Sequence, residues 1–261
     1  VQKMKLSILT ILVSMLSASA MANTFQNQSS VDYGTFDSAG GDVSAWTLNH
    51  KYYISPVDQN DSAPWAEAGF VSRASSVNGS FVRTTVDTSF GDFSGNAWGV
   101  GGEYMDSRHD FYASANLMMV NGSSANELSA SAGFFVQKNW LVKADVFRVK
   151  DHDGDTYNDY GISTKALMSV MNGDFLVLNA SWRQYDDTDS NGIELGADYY
   201  VRPYLSFGVE YSNDTDESES AYGVNSQYFV NSNLALRGSL TRVDLGGENE
   251  TALQLGASYR F

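Results

Sequence analysis

Lys143 and Asp145 stand two residues apart, with Val142, Ala144 and Val146 at the alternate positions. Glu194 and Asp198 stand four apart on one parity, with Gly196 between them on it, and Ile193, Leu195, Ala197 and Tyr199 fill the alternates. A period of two sends successive side chains to opposite faces of a strand, so one face is charged and the other apolar. Rows of carboxylates and bases along strands hold water, discriminate among ions by sign and slow apolar solutes. The acids on this polar parity are Glu67, Glu103, Asp145, Glu194, Asp198 and Glu210. The bases are Lys51, Arg73, Lys143, Lys165, Arg183, Arg202, Arg237 and Arg260, with Arg202 and Arg260 near strand ends. Together they are the candidate lining of a wet passage. The competing reading is that they pair across neighbouring strands and only keep the interior polar.

Covalent chemistry finds little support. The chain has three histidines (His50, His109 and His152) and no cysteine. No nucleophile sits in a recognisable motif, and no histidines are spaced as metal ligands on a helix. Asp151, Asp153, Gly154 and Asp155 resemble the start of a calcium loop, but an EF-hand needs Gly at position six and Glu at twelve. Here Gly154 is fourth and Ile162 twelfth. The expectation is therefore no enzyme, no cofactor and no dedicated metal site. His152, between Asp151 and Asp153, is the one residue on which an outer-membrane hydrolase could be built.

The elements that would carry the charged rows are strands. The chain ends with Thr251, Leu253, Leu255, Ala257, Tyr259 and Phe261 alternating with smaller or polar residues. An apolar face that turns aromatic at its tip suits a strand facing lipid, with the aromatics at the interface. Similar alternation recurs from Trp46 onward, in segments of about ten residues. Connectors are of two kinds. Short ones fall at 137–139, 171–174, 201–204 and 230–233, and longer acidic ones at 151–159, 186–191, 213–219 and 244–250. The two kinds alternate strictly, as periplasmic turns and outer loops do in membrane barrels. A soluble barrel would share the alternation with its apolar parity turned inward. Uneven connectors, aromatics at strand ends and a Gly-, Ser- and Asn-rich polar parity favour the membrane form.

Counting back from Phe261 gives an all-β, transmembrane, antiparallel up-and-down barrel of about 14 strands. The first two are expected near 29–37 and 42–54, with a tight turn at Gly40–Gly41, and a third over 65–74. Residues 75–94 then read as one long outer loop; a further hairpin there would make 16 strands. If that loop folds inward, Arg83, Asp87 and Asp92 would form a constriction.

Composition agrees. Fifteen Tyr, 14 Phe, 5 Trp and 23 Gly against 3 Pro favour strands and turns. Lys3 and Lys5, an apolar run to Leu16 and Ala20-Met21-Ala22 read as a signal peptide over 1–22, leaving 23–261 as the barrel. Met4 is an alternative start to Val1. Removing 22 residues takes away two lysines and no acid, so the net charge moves from −15 to −17. That excess argues against nucleic acid as a partner.

Several stretches carry a family resemblance: 28–34 (QSSVDYG), 52–58 (YYISPVD), 64–70 (PWAEAGF), 101–104 (GGEY) and the closing Ser258-Tyr259-Arg260-Phe261. On these the mature chain resembles the general bacterial porins of Gammaproteobacteria. The resemblance implies a passive outer-membrane channel for ions and small hydrophilic solutes, and it carries over no catalytic residue. The chain is short for a trimeric sixteen-stranded porin and suits a smaller monomeric pore. Acidic outer loops make the mouth cation-attracting. Expected partners are outer-membrane lipids, lipopolysaccharide and the barrel assembly machinery, with Tyr259 and Phe261 as the assembly signal. The alternative to a porin is a structural or adhesive barrel plugged by its own side chains.

Overall fold

The computed structural model describes residues 24–261 except 39–40, 90, 171–172, 187, 189, 216–218 and 246–248. The expected leader lies outside the described residues, as do parts of the turns at 40–41 and 171–174. Fourteen antiparallel strands close into one barrel in which each strand pairs with its sequence neighbours. They are β1 (Thr24–Ser38), β2 (Gly41–Asp58), β3 (Ser76–Thr88), β4 (Gly91–Asp106), β5 (Phe111–Val120), β6 (Asn126–Gln137) and β7 (Trp140–Lys150). The second half holds β8 (Thr156–Ser169), β9 (Phe175–Tyr185), β10 (Ser190–Arg202), β11 (Leu205–Asp214), β12 (Glu219–Phe229), β13 (Leu234–Leu245) and β14 (Asn249–Arg260). Closure comes from β1 on β14, in register from Gln28↔Arg260 to Phe36↔Ala252. Phe261 completes the seam: its N–H donates to Asn27 O, and its carbonyl accepts from Asn27 N–H. Closure leaves no unpaired edge, which a spanning sheet requires.

The apolar parity faces outward. Val100, Ile162, Val209 and Leu255 are each more than half exposed, whereas a soluble barrel would bury them. No helix among the described residues is long and apolar enough to cross a membrane, and the strands do the crossing.

The strand count agrees with the expectation, but the third strand lies elsewhere. Residues 65–74 are not a strand: Trp65–Glu67 form a 3-10 turn that runs into the short helix α1 (Ala68–Val71). The local chemistry explains this. Pro64 precedes the first helical residue, and Ala66 and Phe70 stand four apart, which brings them to one helical face. The third strand is β3, inside the segment read as a loop. Its pattern was obscured because Arg83 and Asp87 share the outward parity with Val77 and Phe81, while Val82 and Val86 take the other parity. The outer connectors are also shorter than their acidic composition suggested. Asp159, Asp214, Asp244 and Glu250 belong to strands, because the strands continue beyond the apolar band.

Residues 59–75 fold into the short-turn end of the barrel, and the buried apolar residues gather there. Phe25, Tyr53 and Val57 meet Ala68 and Ala74. Leu167, Phe175, Val177 and Tyr200 take Ala66, Phe70 and Val71. Phe70 also reaches the cluster of Tyr112, Phe135 and Leu141.

Candidate solute pathway

The lumen holds a cavity of about 1030 Å³, with Ala66, Glu67, Gly69 and Phe70 among its lining. Ten of the sequence-derived candidates line it: Lys51, Glu67, Glu103, Lys143, Asp145, Lys165, Arg183, Glu194, Asp198 and Glu210. Arg73, Arg202, Arg237 and Arg260 lie outside this lining. Arg83, Asp87 and Asp92 are not in an inward loop. They sit in the wall on β3 and β4, on the parity of Trp46 and Trp98, and face away from the lumen. Within the described residues, the segment that enters the lumen is 59–75, and its Glu67 is the acid that arrives from outside the wall.

The basic groups of the lumen are held in ion pairs. Lys51 Nζ lies 3.1 Å from Glu103 Oε2, and Glu103 also accepts from Ser76 Oγ and Tyr112 OH. Lys143 Nζ lies 2.6 Å from Asp145 Oδ1, and Ser131 and Ser163 donate to Asp145 from the two flanking strands, each at 2.5 Å. Lys165 Nζ reaches Glu67 on the insert at 2.7 Å. Arg183 donates to Asp159 and stacks 3.8 Å above the Phe147 ring. Arg237 pairs with Asp32 across β14. Gly256 stands opposite both partners in register, and a Cβ there would collide with Asp32. The missing side chain is what lets the pair span a strand.

The acids on β10 and β11 are arranged differently. Glu194, Glu210 and Asp198 occupy successive lumen-facing levels, since Glu210 stands opposite Gly196 and Asp198 opposite Gly208. Levels two residues apart are separated by about 7 Å. Glu194 accepts from Ser181 Oγ at 3.1 Å and Glu210 from Thr241 Oγ1 at 2.8 Å. Among the described residues, none of the three has a basic group within ion-pair distance.

The insert is tied around the whole short-turn mouth. Trp65 N–H donates to Pro203 O at 2.8 Å, and Gln59 Nε2 donates to Ser232 O at 3.0 Å. Arg260, only 3% exposed, donates to Trp65 O, Gln59 Oε1 and Gln28 Oε1 between the rings of Phe25 and Phe229. Arg73 pairs with Asp110, donates to Lys138 O and lies 4.1 Å from the Phe135 ring. Beside that mouth, His109 Nδ1 and Asp106 Oδ2 are 2.7 Å apart, and this hydrogen bond raises the His109 pKa above its ordinary value of 6.5.

Some functional groups were missed at the sequence level. Asp159 falls in a stretch whose acidic composition reads as a loop, and Asp32 is absent from the sequence-derived lumen set, although Ser30, Asp32 and Gly34 share a polar parity. The helical spacing of Ala66 and Phe70 after Pro64 was the available signal for the insert. The calcium-like segment is occupied by its own backbone: Asp151 Oδ1 accepts from the N–H groups of Gly154 and Asp155. No group of three or more His, Cys, Asp or Glu is placed to hold a metal among the described residues.

The sequence profile of the family described as "Putative general bacterial porin" matches residues 1–160 and 147–261, which together cover the chain. The chain belongs to that family. This porin-family chain is therefore a porin-like outer-membrane channel, and family and fold point to a channel rather than an enzyme. Among solved structures it is similar to the outer membrane protein Omp33 of Acinetobacter baumannii, with 20% identity and a TM-score of 0.73 over 92% of this chain and 99% of that one. It is also similar to a bacterial polysaccharide outer membrane secretin, with 9% identity and a TM-score of 0.56 over 90% of this chain and 98% of that one. At these identities the likeness shows the fold. No curated protein matches the sequence.

Proposed function

We propose that this porin-family barrel passes ions and small hydrophilic solutes with a preference for cations, through a passage narrowed at its periplasmic mouth by residues 59–75. The observation that carries the preference is the row Glu194, Glu210 and Asp198. The cavity lining has six carboxylates against four basic groups, and the bases are paired. The surplus negative charge lies on one wall, where a low-dielectric surround raises local cation concentration. The ten lining residues named above are the proposed path. The same reading includes export by the leader over 1–22, recognition of Tyr259 and Phe261 by the barrel assembly machinery, and lipopolysaccharide around the outer rim.

Reversal potential in a potassium chloride gradient tests the preference. The native chain should favour potassium, and the triple variant E194Q/E210Q/D198N should fall close to neutrality with its conductance retained. An unchanged reversal potential would remove these acids from the selectivity argument. A second reading, the plugged structural barrel, is favoured by the anchors that hold 59–75 on every side. A folded barrel that never conducts would decide for it.

A further inference from the structure

We infer that Arg148 and Lys150, on the outward face of β7, bind the phosphate of an outer-leaflet glycolipid such as lipid A. The inference rests on the outer-membrane orientation adopted above. In the lumen, bases meet carboxylates: the five from Lys51 to Arg237 each hold one. Arg148 and Lys150 differ. The register of β7 on β8 runs unbroken from Trp140 to Lys150, so both share the parity of Val142 and the outward-facing Val146. Arg148 is exposed and Lys150 is half-buried. Among the described residues, neither has a carboxylate within ion-pair distance.

Their depth is set by what lies beneath them. Val146 stands opposite Tyr160, an exposed aromatic at the outer end of the apolar band. Arg148 is one outward step above and Lys150 two, at about 7 Å per step, which is headgroup depth. Their register neighbours are Leu128 and Asn158 for Arg148, and Asn126 and Thr156 for Lys150. No acid stands opposite either. The nearby Asp151 carboxylate is turned into its own loop, where Oδ1 holds two backbone N–H groups. An apolar stem against the acyl boundary with a cationic tip above it is how long basic side chains rest at an interface. A guanidinium offers a phosphate two parallel N–H donors, and an adjacent ammonium adds a point charge. Other outward bases are less suited. Arg83 shares its strand face with Asp87, and Arg242 Nε is engaged by Asn249 Oδ1.

The test is native mass spectrometry of the refolded chain in detergent, titrated with bisphosphorylated lipid A, with dephosphorylated lipid A and with inorganic phosphate. A basic group near an anionic lipid surface contributes about fivefold, so R148Q/K150Q should weaken retention of bisphosphorylated lipid A by about 30-fold. It should leave dephosphorylated lipid A, bound weakly by both proteins, unchanged. Equal retention by wild type and variant would overturn the inference, as would loss of lipid A to equimolar inorganic phosphate, which would make the site one for the free anion. Planar-bilayer conductance on the same preparations separates the two claims. Conducting proteins with equal retention count against the site alone, and silent proteins with unequal retention count against the pore alone.

Discussion

Asp145 shows how a single residue organises the wall. Its carboxylate gathers Lys143 and the hydroxyls of Ser131 and Ser163, so three neighbouring strands share one acceptor. Asp145→Ala leaves that ammonium and both hydroxyls without their partner in a mostly covered position. The expected loss is about 1–3 kcal/mol, the range for stranding a buried polar group. Asp145→Asn, which keeps acceptor capacity for the hydroxyls, should cost less. Urea unfolding in lipid vesicles, followed by tryptophan fluorescence, ranks the three proteins. His109 gives a pH-dependent counterpart at the turn. Its hydrogen bond to Asp106 raises its pKa, so the pairing contributes fully below the unfolded value and is lost as pH rises through the folded one. Its NMR titration midpoint should lie above 6.5, and Asp106→Asn should bring it back toward that value.

At the scale of elements, the proposed narrowing of the passage rests on the insert over 59–75. It is short and carries one turn of helix, so it has little stability of its own. What holds it is tertiary: Arg260 at one end, Arg73 at the other and the Phe70 contacts between. Replacing residues 62–72 by a short Gly-Ser linker should raise single-channel conductance severalfold while the heat-modifiable barrel persists, because the wall strands pair without the insert. Conductance that stays at the native level would place the narrowest point elsewhere. A gentler change is Gly69→Ala. A Cβ there would stand 2.8 Å from the Tyr53 ring and 2.9 Å from its hydroxyl, so ring or insert must shift. This element is also where sequence and structure part. Strands with unlike faces announce themselves, and residues 193–201 or 251–261 could be read almost as they fold. β3 could not, since its outer half stands above the apolar band and carries Arg83 and Asp87 on the lipid-side parity. The insert has too few residues for helical periodicity to outweigh the strand grammar around it. The lumen charges were legible because they obey parity. Their pairing was not, because Lys51 with Glu103 and Arg237 with Asp32 each meet across an intervening strand, and register decides that.

For the molecule as a whole, the acidic excess resides in two places with different exposure to salt. At the outer rim, Asp42 stands opposite Asp87, and Asp87 opposite Asp92, on the outer surface. Like charges directly opposite are unfavourable in a sheet, and here they face solvent beyond the apolar band. Within the lumen, Glu194, Glu210 and Asp198 line a confined cavity. Screening reaches about 10 Å at 0.1 M salt and about 3 Å at 1 M, so rim charges fade from an ion's view as salt rises. Lumen charges, which a permeating ion passes within a few ångströms, fade much less. Cation preference measured at 0.1 M should therefore contain both contributions, and at 1 M chiefly the lumen's. The rim variant D42N/D87N/D92N should reduce selectivity at 0.1 M and leave the 1 M value nearly unchanged. The lumen variant E194Q/E210Q/D198N should abolish selectivity at 1 M and leave a residue of it at 0.1 M. If the rim variant changed selectivity equally at both salts, the outer aspartates would have to lie on the permeation path itself, contrary to their outward parity.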